Sequence, residues 1–273
     1  MSVEAADPRS ADVDELLAPL RRDPGSSAVF CDIDGTLAPI VERASDAAVP
    51  TEARSVLRAL AERYALVGCL SGRAAVDARA LVGVDELLYI GNHGFERLLP
   101  GAADSEPDPA LAGNERVASE FIDHLDADEL ASLGLRSEDK GPIQALHWRG
   151  AADEVAAEAR AREIGTDAAG RDLLPHWGRK VLEIRPGIHL NKGTALAELL
   201  AERRMSKALY GGDDRTDVDA FRCLRDLRAA GELEAAVCVG IASDEGPPEV
   251  GEEADLLVDG PEGFLDVLRL LAG

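Results

Sequence analysis

Residues 29–37, Val-Phe-Cys-Asp-Ile-Asp-Gly-Thr-Leu, hold two carboxylates one residue apart, followed by a glycine and a hydroxyl. The apolar run before Asp32 reads as a buried strand. If the chain stays extended through Asp32 and turns at Gly35, strand alternation sets Asp32 and Asp34 on one side at the strand's carboxyl end. Open α/β sheets bind ligands at that end. Two like charges so close need a cation, a shared proton or a shifted pKa, and a hard divalent cation such as Mg²⁺ fits an all-oxygen donor set. Asp-x-Asp-Gly also occurs in calcium loops and plain turns, but residues 36–39, Thr-Leu-Ala-Pro, do not continue a calcium-loop pattern.

Three further segments carry complementary groups: Ser71 after a second apolar run, Lys192 opening a helical pattern, and Asp213, Asp214 and Asp217 after a later strand. Taken singly, each has an ordinary reading. Ser71-Gly72 can be a turn, Lys192 an exposed lysine, and the aspartates acids favoured at a helix N-terminus. Together at one sheet edge, they suit phosphoryl transfer: an aspartate nucleophile, a cation to offset repulsion from the phosphoryl oxygens, and an ammonium and hydroxyl for the transition-state charge.

The elements that must position them alternate strand and helix at both ends of the chain, the signature of a parallel sheet with helices on its faces. Helices are expected over residues 12–20, 50–63, up to 81, 191–203, 218–227 and from 261. Strands are expected up to 32 and over 65–70, 87–90, 208–210, 236–241 and 256–258. Residues 99–113, rich in Pro, Gly, Ala and Asp, read as a connector. Beyond it the pattern is helix 114–130, strands 133–137 and 143–148, helix 152–164, strands 173–177 and 180–184, an α+β unit inserted into the larger fold.

With 273 residues, one or two domains are expected. The net charge of −23 disfavours nucleic acid and anionic membranes as partners and calls for a local cluster of cations around any phosphate. Cys31, Cys69, Cys223 and Cys238 form no CxxC pair; the first two and Cys238 read as small buried residues. The polar, acidic start shows neither signal peptide nor spanning segment, so a cytoplasmic location is expected.

The ordered set DIDGTL, LSGR, the lysine of NKG and GGDD resembles the haloacid dehalogenase (HAD) superfamily of phosphatases. The resemblance implies that Asp32 is the nucleophile. Asp34 would be the general acid and base, lending its backbone carbonyl to Mg²⁺, and the metal set would be Asp32, Asp34, Asp213 and Asp214, with Asp217 also supporting Asp213. Within that superfamily, Gly-Asn-His-Gly at 91–94, Glu-Asp-Lys-Gly at 138–141 and Leu-His-Trp-Arg at 146–149 look like trehalose-6-phosphate phosphatases. So do Arg-Lys-Val-Leu-Glu-Ile-Arg-Pro at 179–186, Asn-Lys-Gly at 191–193 and Gly-Asp-Asp-Arg-Thr-Asp at 212–217. The implied architecture is a Rossmann-like parallel-sheet core, residues 1–98 and 187–273, with an αββαββ (C2-type) cap over residues 99–186 that sets substrate specificity. Substrate binding is then expected from Gly72, Arg73, Asn92 and His93 in the core and from Glu138, Arg149, Lys180 and Glu183 in the cap. The implied reaction is Mg²⁺-dependent hydrolysis of trehalose 6-phosphate, a small-molecule partner. Alternatives are a related sugar or aminocyclitol phosphate, such as mannosyl-3-phosphoglycerate or validoxylamine 7'-phosphate, or a non-catalytic sugar-phosphate sensor.

Overall fold

A computed structural model describes residues 13–41, 46–243 and 246–273. Its described residues form two compact units. One runs up to Glu106 and resumes at Leu190–Gly273; the other is Pro107–His189. These divisions fall eight and three residues later than the expected 98/99 and 186/187 boundaries.

The first unit is built on β1 (Ser27–Cys31), which is buried along its whole length. Its odd and even side chains enter different cores. Val29 and Cys31 pack with residues of α1 (Val13–Arg22), α2 (Thr51–Arg63) and α10 (Gly260–Ala272), while Ala28 and Phe30 pack with α7 (Lys192–Glu202) and α8 (Arg215–Ala229). A strand covered on both faces by helices reads as a continuous apolar run, as residues 28–31 do. Beside it lie β2 (Leu66–Leu70), then β3 (Leu88–Gly91) after α3 (Ala75–Val82), on one side. On the other lie β10 (Lys207–Gly212), β11 (Ala235–Ala242) and, after the short α9 (Pro248–Glu253), β12 (Leu256–Asp259). The order is β12-β11-β10-β1-β2-β3, all parallel, extended by antiparallel β4 (Glu96–Leu98) and the two-residue β5 (Glu106–Pro107).

The chain leaves β1 toward β2 and returns on its other flank as β10. Strand order therefore reverses between β1 and β10, the switch point where such sheets open a crevice. Register completes the placement: Cys31 lies opposite both Gly211 and Cys69, so Asp32, Asp213 and Ser71 all follow at one edge. The Cys31 and Cys69 sulfurs are 4.0 Å apart and buried, as small core residues.

The second unit contains α4 (Val117–Asp123), α5 (Ala127–Ser132), β6 (Arg136–Lys140), β7 (Ile143–His147), α6 (Glu154–Ala169), β8 (Leu173–Gly178) and β9 (Val181–Pro186). The sheet is antiparallel, in the order β6-β7-β9-β8. Leu146, Leu182 and Ile184 join Phe121, Ala157, Ala161 and Ile164 in its core. Two differences from the expected elements have local causes. The helix expected over 114–130 is broken, because the Asp126 carboxylate accepts the amides of Asp128 and Glu129 and starts a new helix. The helix expected to stop at residue 164 runs to Ala169, since Ile164, Gly165 and Ala168 continue its buried face. In the first unit, the helix expected from residue 12 is described from Val13, residue 12 lying outside the described set. None of the described helices is long and apolar enough to cross a membrane.

Candidate active site

Asp32 is the first residue past β1, its amide bonded to the Gly211 carbonyl at 2.9 Å. Lys192 opens α7 behind the N-cap Asn191, whose side chain accepts the Thr194 amide while Thr194 Oγ1 accepts the Asn191 amide. That reciprocal cap fixes the helix start and delivers the lysine into the sheet edge. Lys192 is 1% exposed, and its ammonium donates to Asp32 Oδ1 and Asp217 Oδ1, both at 2.7 Å. A buried ammonium is tolerated only when paired, and here the two carboxylates outweigh desolvation and raise its pKa well above the usual value.

Asp217 is the hub. Its Oδ1 also accepts the Tyr210 hydroxyl at 2.6 Å, and its Oδ2 accepts the amides of Asp213 and Asp214 at 3.0 Å. Asp217 thus fastens the turn after β10 to both α8 and Lys192. Gly212 is required for this closeness, because a Cβ there would collide with the Asp217 side chain. Burial pushes the Asp217 carboxyl up to about 6 against the pull of Lys192. Asp213, buried beside Asp217 and Asp214, is pushed up to about 7, and its Oδ1 accepts the Thr36 hydroxyl at 3.0 Å. Asp32 is likewise driven well above the usual carboxylate range by burial, with Lys192 opposing.

Asp32, Asp213 and Asp217 each offer an oxygen within 4.8 Å of the others, a set able to hold a divalent cation. Of the three, Asp217 already uses both oxygens on four donors, which assigns it to the frame and leaves Asp32 and Asp213 to face a metal. Gly35 supports that fit: with φ +91° it turns the chain under Asp213, whose carboxylate occupies the place of the missing Cβ. Carboxylates raised by burial and, beyond that, by mutual repulsion in an all-oxygen cluster are the donor set a hard cation relieves.

Three of the expected residues have partners of their own in the structure. The Asp34 carboxylate is not one of the three that gather: β1 ends at Cys31 and the chain turns at once, Leu37 and Ala38 amides closing on the Ile33 carbonyl, so Asp32 and Asp34 do not follow as alternate residues of the strand. Asp34, 42% exposed at its side chain, instead pairs with Arg73. Asp214, expected among the metal ligands, caps α8. Its Oδ1 accepts the amides of Thr216 and Asp217 and the Thr216 hydroxyl. Burial opposes its ionisation, but Lys192 and these hydrogen bonds hold its pKa below the usual range. Asn92, expected to touch substrate, is 1% exposed and donates to Glu96 Oε1 at 2.9 Å; that oxygen also accepts the Ala75 amide at the start of α3.

Ser71 is buried, with its Oγ accepting the Arg73 amide at 3.2 Å. The His93 amide donates to the Ser71 carbonyl, and the His93 ring lies against Gly72 where a side chain would stand. Asn92 and His93 both have positive φ, a left-handed excursion before Gly94.

In the second unit, register aligns Glu138, Ala145, Glu183 and His176 in one row across the sheet, on the face opposite Leu146 and Leu182. Glu183 is buried; its Oε1 accepts Lys140 Nζ at 3.0 Å and its Oε2 accepts Arg185 Nη2 at 2.6 Å. Glu138 pairs with His147 at 2.7 Å. Lys180 lies in the β8–β9 turn with its ammonium on Glu154 at 2.6 Å, and Arg149 Nη2 donates to the Arg179 carbonyl at 3.4 Å. The four expected residues thus fall into two groups, one across the sheet face and one at its end. The cations on Glu183 are Lys140 and Arg185, neither among the expected site residues. Thr36, Tyr210 and the hub role of Asp217 were also missed. Thr36 follows directly from the DGT turn; Tyr210 carries no signal in its apolar strand.

The chain matches the Trehalose-phosphatase family model over residues 30–253. It is 39% identical over 210 residues to an uncharacterized glycosyl hydrolase of Mycobacterium tuberculosis, covering 72% of this chain but 15% of that one. It is 33% identical over 263 residues to a trehalose 6-phosphate phosphatase of Zea mays, covering 89% of this chain and 69% of the other. The chain therefore spans only part of the curated relatives it matches. Among solved structures, the C-terminal domain of a C. albicans trehalose-6-phosphate phosphatase superposes with a TM-score of 0.75 at 21% identity, covering 96% of this chain and 97% of that one. At that identity the superposition speaks for the fold, and the match across residues 30–253 speaks for descent: this chain belongs to the trehalose-phosphatase family, on a HAD-type α/β core.

Proposed function

We propose that this protein is a Mg²⁺-dependent phosphatase that hydrolyses trehalose 6-phosphate through an aspartyl-phosphate on Asp32. The observation that supports it most is the buried Lys192 ammonium, 2.7 Å from both Asp32 and Asp217, beside Asp213 at the β1–β10 switch point. In the first half-reaction an Asp32 oxygen attacks phosphorus, the ester P–O bond breaks, and Asp34 gives its proton to the departing sugar oxygen. In the second, Asp34 takes a proton from water, the water oxygen bonds to phosphorus, and the acyl-phosphate P–O bond breaks to restore Asp32. Lys192 and the Ser71 hydroxyl hold the phosphoryl oxygens. Asp32, Asp213 and the Asp34 main-chain carbonyl would hold the cation, which when bound offsets negative charge on the phosphoryl group.

The second unit is proposed as the cap that recognises the sugar, with Glu138 and Glu183 as hydroxyl acceptors and Arg149 and Lys180 near its phosphate. The testing experiment is a panel of phosphate esters with purified protein, reading kcat/KM for each. Trehalose 6-phosphate is expected to rank first, with activity lost in chelator and restored by Mg²⁺. A better substrate in the panel overturns the sugar assignment, and activity indifferent to chelation overturns the metal. Glu183→Gln is expected to lower kcat/KM for trehalose 6-phosphate about tenfold or more, while p-nitrophenyl phosphate changes less than about threefold, because hydroxyl recognition contributes only where there is a sugar to bind. Equal losses on both would count against Glu183 as a sugar ligand.

A further inference from the structure

Among the described residues, a guanidinium holds the Asp34 carboxylate at both oxygens. Arg73 Nε donates to Asp34 Oδ2 at 2.7 Å and Arg73 Nη2 to Oδ1 at 2.6 Å. Both partners sit on tightly bonded loops. The Arg73 amide is on Ser71 Oγ, and its carbonyl accepts the Asn92 amide at 2.8 Å. Asp34 lies in the turn closed by the Ile33 carbonyl and by the Gly35 amide on Ala38 at 2.7 Å. A two-point fork between two such loops fixes the plane of the carboxylate as well as its distance, which an ammonium cannot do.

We infer that Arg73 is a positioning residue for Asp34, fixing it as the proton acceptor for the water that releases phosphate from Asp32, and is not a ligand of the substrate's phosphate. The inference rests on the acid–base role proposed above for Asp34. The Nε–Nη2 edge of the guanidinium, one of the two that can grip a phosphate in parallel, is already engaged by Asp34. The fork holds both Asp34 oxygens in one fixed plane, so that the carboxylate is oriented before a water attacks. In that step the water proton passes to Asp34, the water oxygen bonds to phosphorus, and the electron pair of the broken P–O bond returns to Asp32. One arm of the fork then yields to the new O–H, and that proton leaves with the next sugar oxygen.

The test uses p-nitrophenyl phosphate with Mg²⁺, because its leaving group departs without an acid and isolates the second step. Arg73→Gln is expected to lower kcat about 10- to 100-fold, with KM and the inhibition constant of inorganic phosphate within about twofold. Rapid mixing should then show a burst of about one equivalent of p-nitrophenol per enzyme, followed by slow phosphate release. Arg73→Lys, which keeps the charge but not the fork, should recover only part of the loss. In an Asp34→Asn background, Arg73→Gln should remove little further activity. A tenfold rise in KM or in the phosphate inhibition constant without a burst overturns the inference, as does unchanged turnover in a folded Arg73→Gln. A parent enzyme that neither cleaves the ester nor becomes labelled at Asp32 defeats the phosphatase reading itself, and the inference with it.

Discussion

Asp32→Asn should reduce phosphate release by at least about 10⁴-fold while leaving the protein folded. The amide keeps the size of the side chain and an oxygen for the Lys192 ammonium, and Asp217 still pairs that ammonium at 2.7 Å. What is lost is the anionic oxygen proposed to attack phosphorus, and no described neighbour can take its place. Asp213 bears on Thr36 and Asp217 is bonded through both oxygens. The measurement is steady-state phosphate release together with trapping of labelled phosphoenzyme, with the melting temperature as a control for folding. Turnover above about one per cent of the parent would falsify the nucleophile assignment.

Asp217→Ala should be the most destabilising single change in the site. It strips acceptors from Lys192, from the Tyr210 hydroxyl and from two backbone amides at once, all in a region closed to solvent. Removing one partner from a buried ion pair costs about 3–5 kcal/mol. In a chain of this size that lowers Tm on the order of 10 °C. Tyr210→Phe removes a single hydrogen bond to a charged acceptor and should cost about 1.5–3 kcal/mol. The pair is checked by thermal melting under one buffer and chelator condition. A melting temperature for Asp217→Ala within about 2 °C of the parent would mean that the hub carries little of the stability of this edge.

The two substitutions separate chemistry from framework at residues that meet through one ammonium. Asp32 stands where charge is used; Asp217 stands where charge is neutralised by four donors. Their pKa values are both raised, and burial is the largest cause in each. Only the surrounding hydrogen bonds distinguish the roles.

Much of the core was legible before any coordinates. A parallel strand buried on both faces has to be apolar throughout, so residues 28–31 announced β1, and an aspartate directly after such a run announced a strand-end site. Gly35 announced the turn that follows; that a carboxylate crowds it, as another does Gly212, appeared only in the fold. The helix beginning at Lys192 was readable from its pattern, and the reciprocal cap of Asn191 and Thr194 supplies the local reason it starts there. These are local matters, decided within a turn or a strand.

Tyr210 and Arg73 show the other kind of information. Tyr210 looks like one more apolar strand residue until β10 pairs with β1, Phe30 opposite Tyr210, and α8 brings Asp217 onto its hydroxyl. Arg73 reads as a phosphate ligand in the sequence, and the folded chain puts its guanidinium on the Asp34 carboxylate. Asp214 and Asp217 are indistinguishable as letters, yet one caps a helix and the other anchors a lysine. The linear chain therefore established the family, the sheet and the chemical types gathered at its edge, because periodicity, capping and turn chemistry act between near neighbours. Which carboxylate receives which cation was decided by the folded packing alone, since those partners lie 25, 39 and 160 residues apart and only strand register brings them within 3 Å.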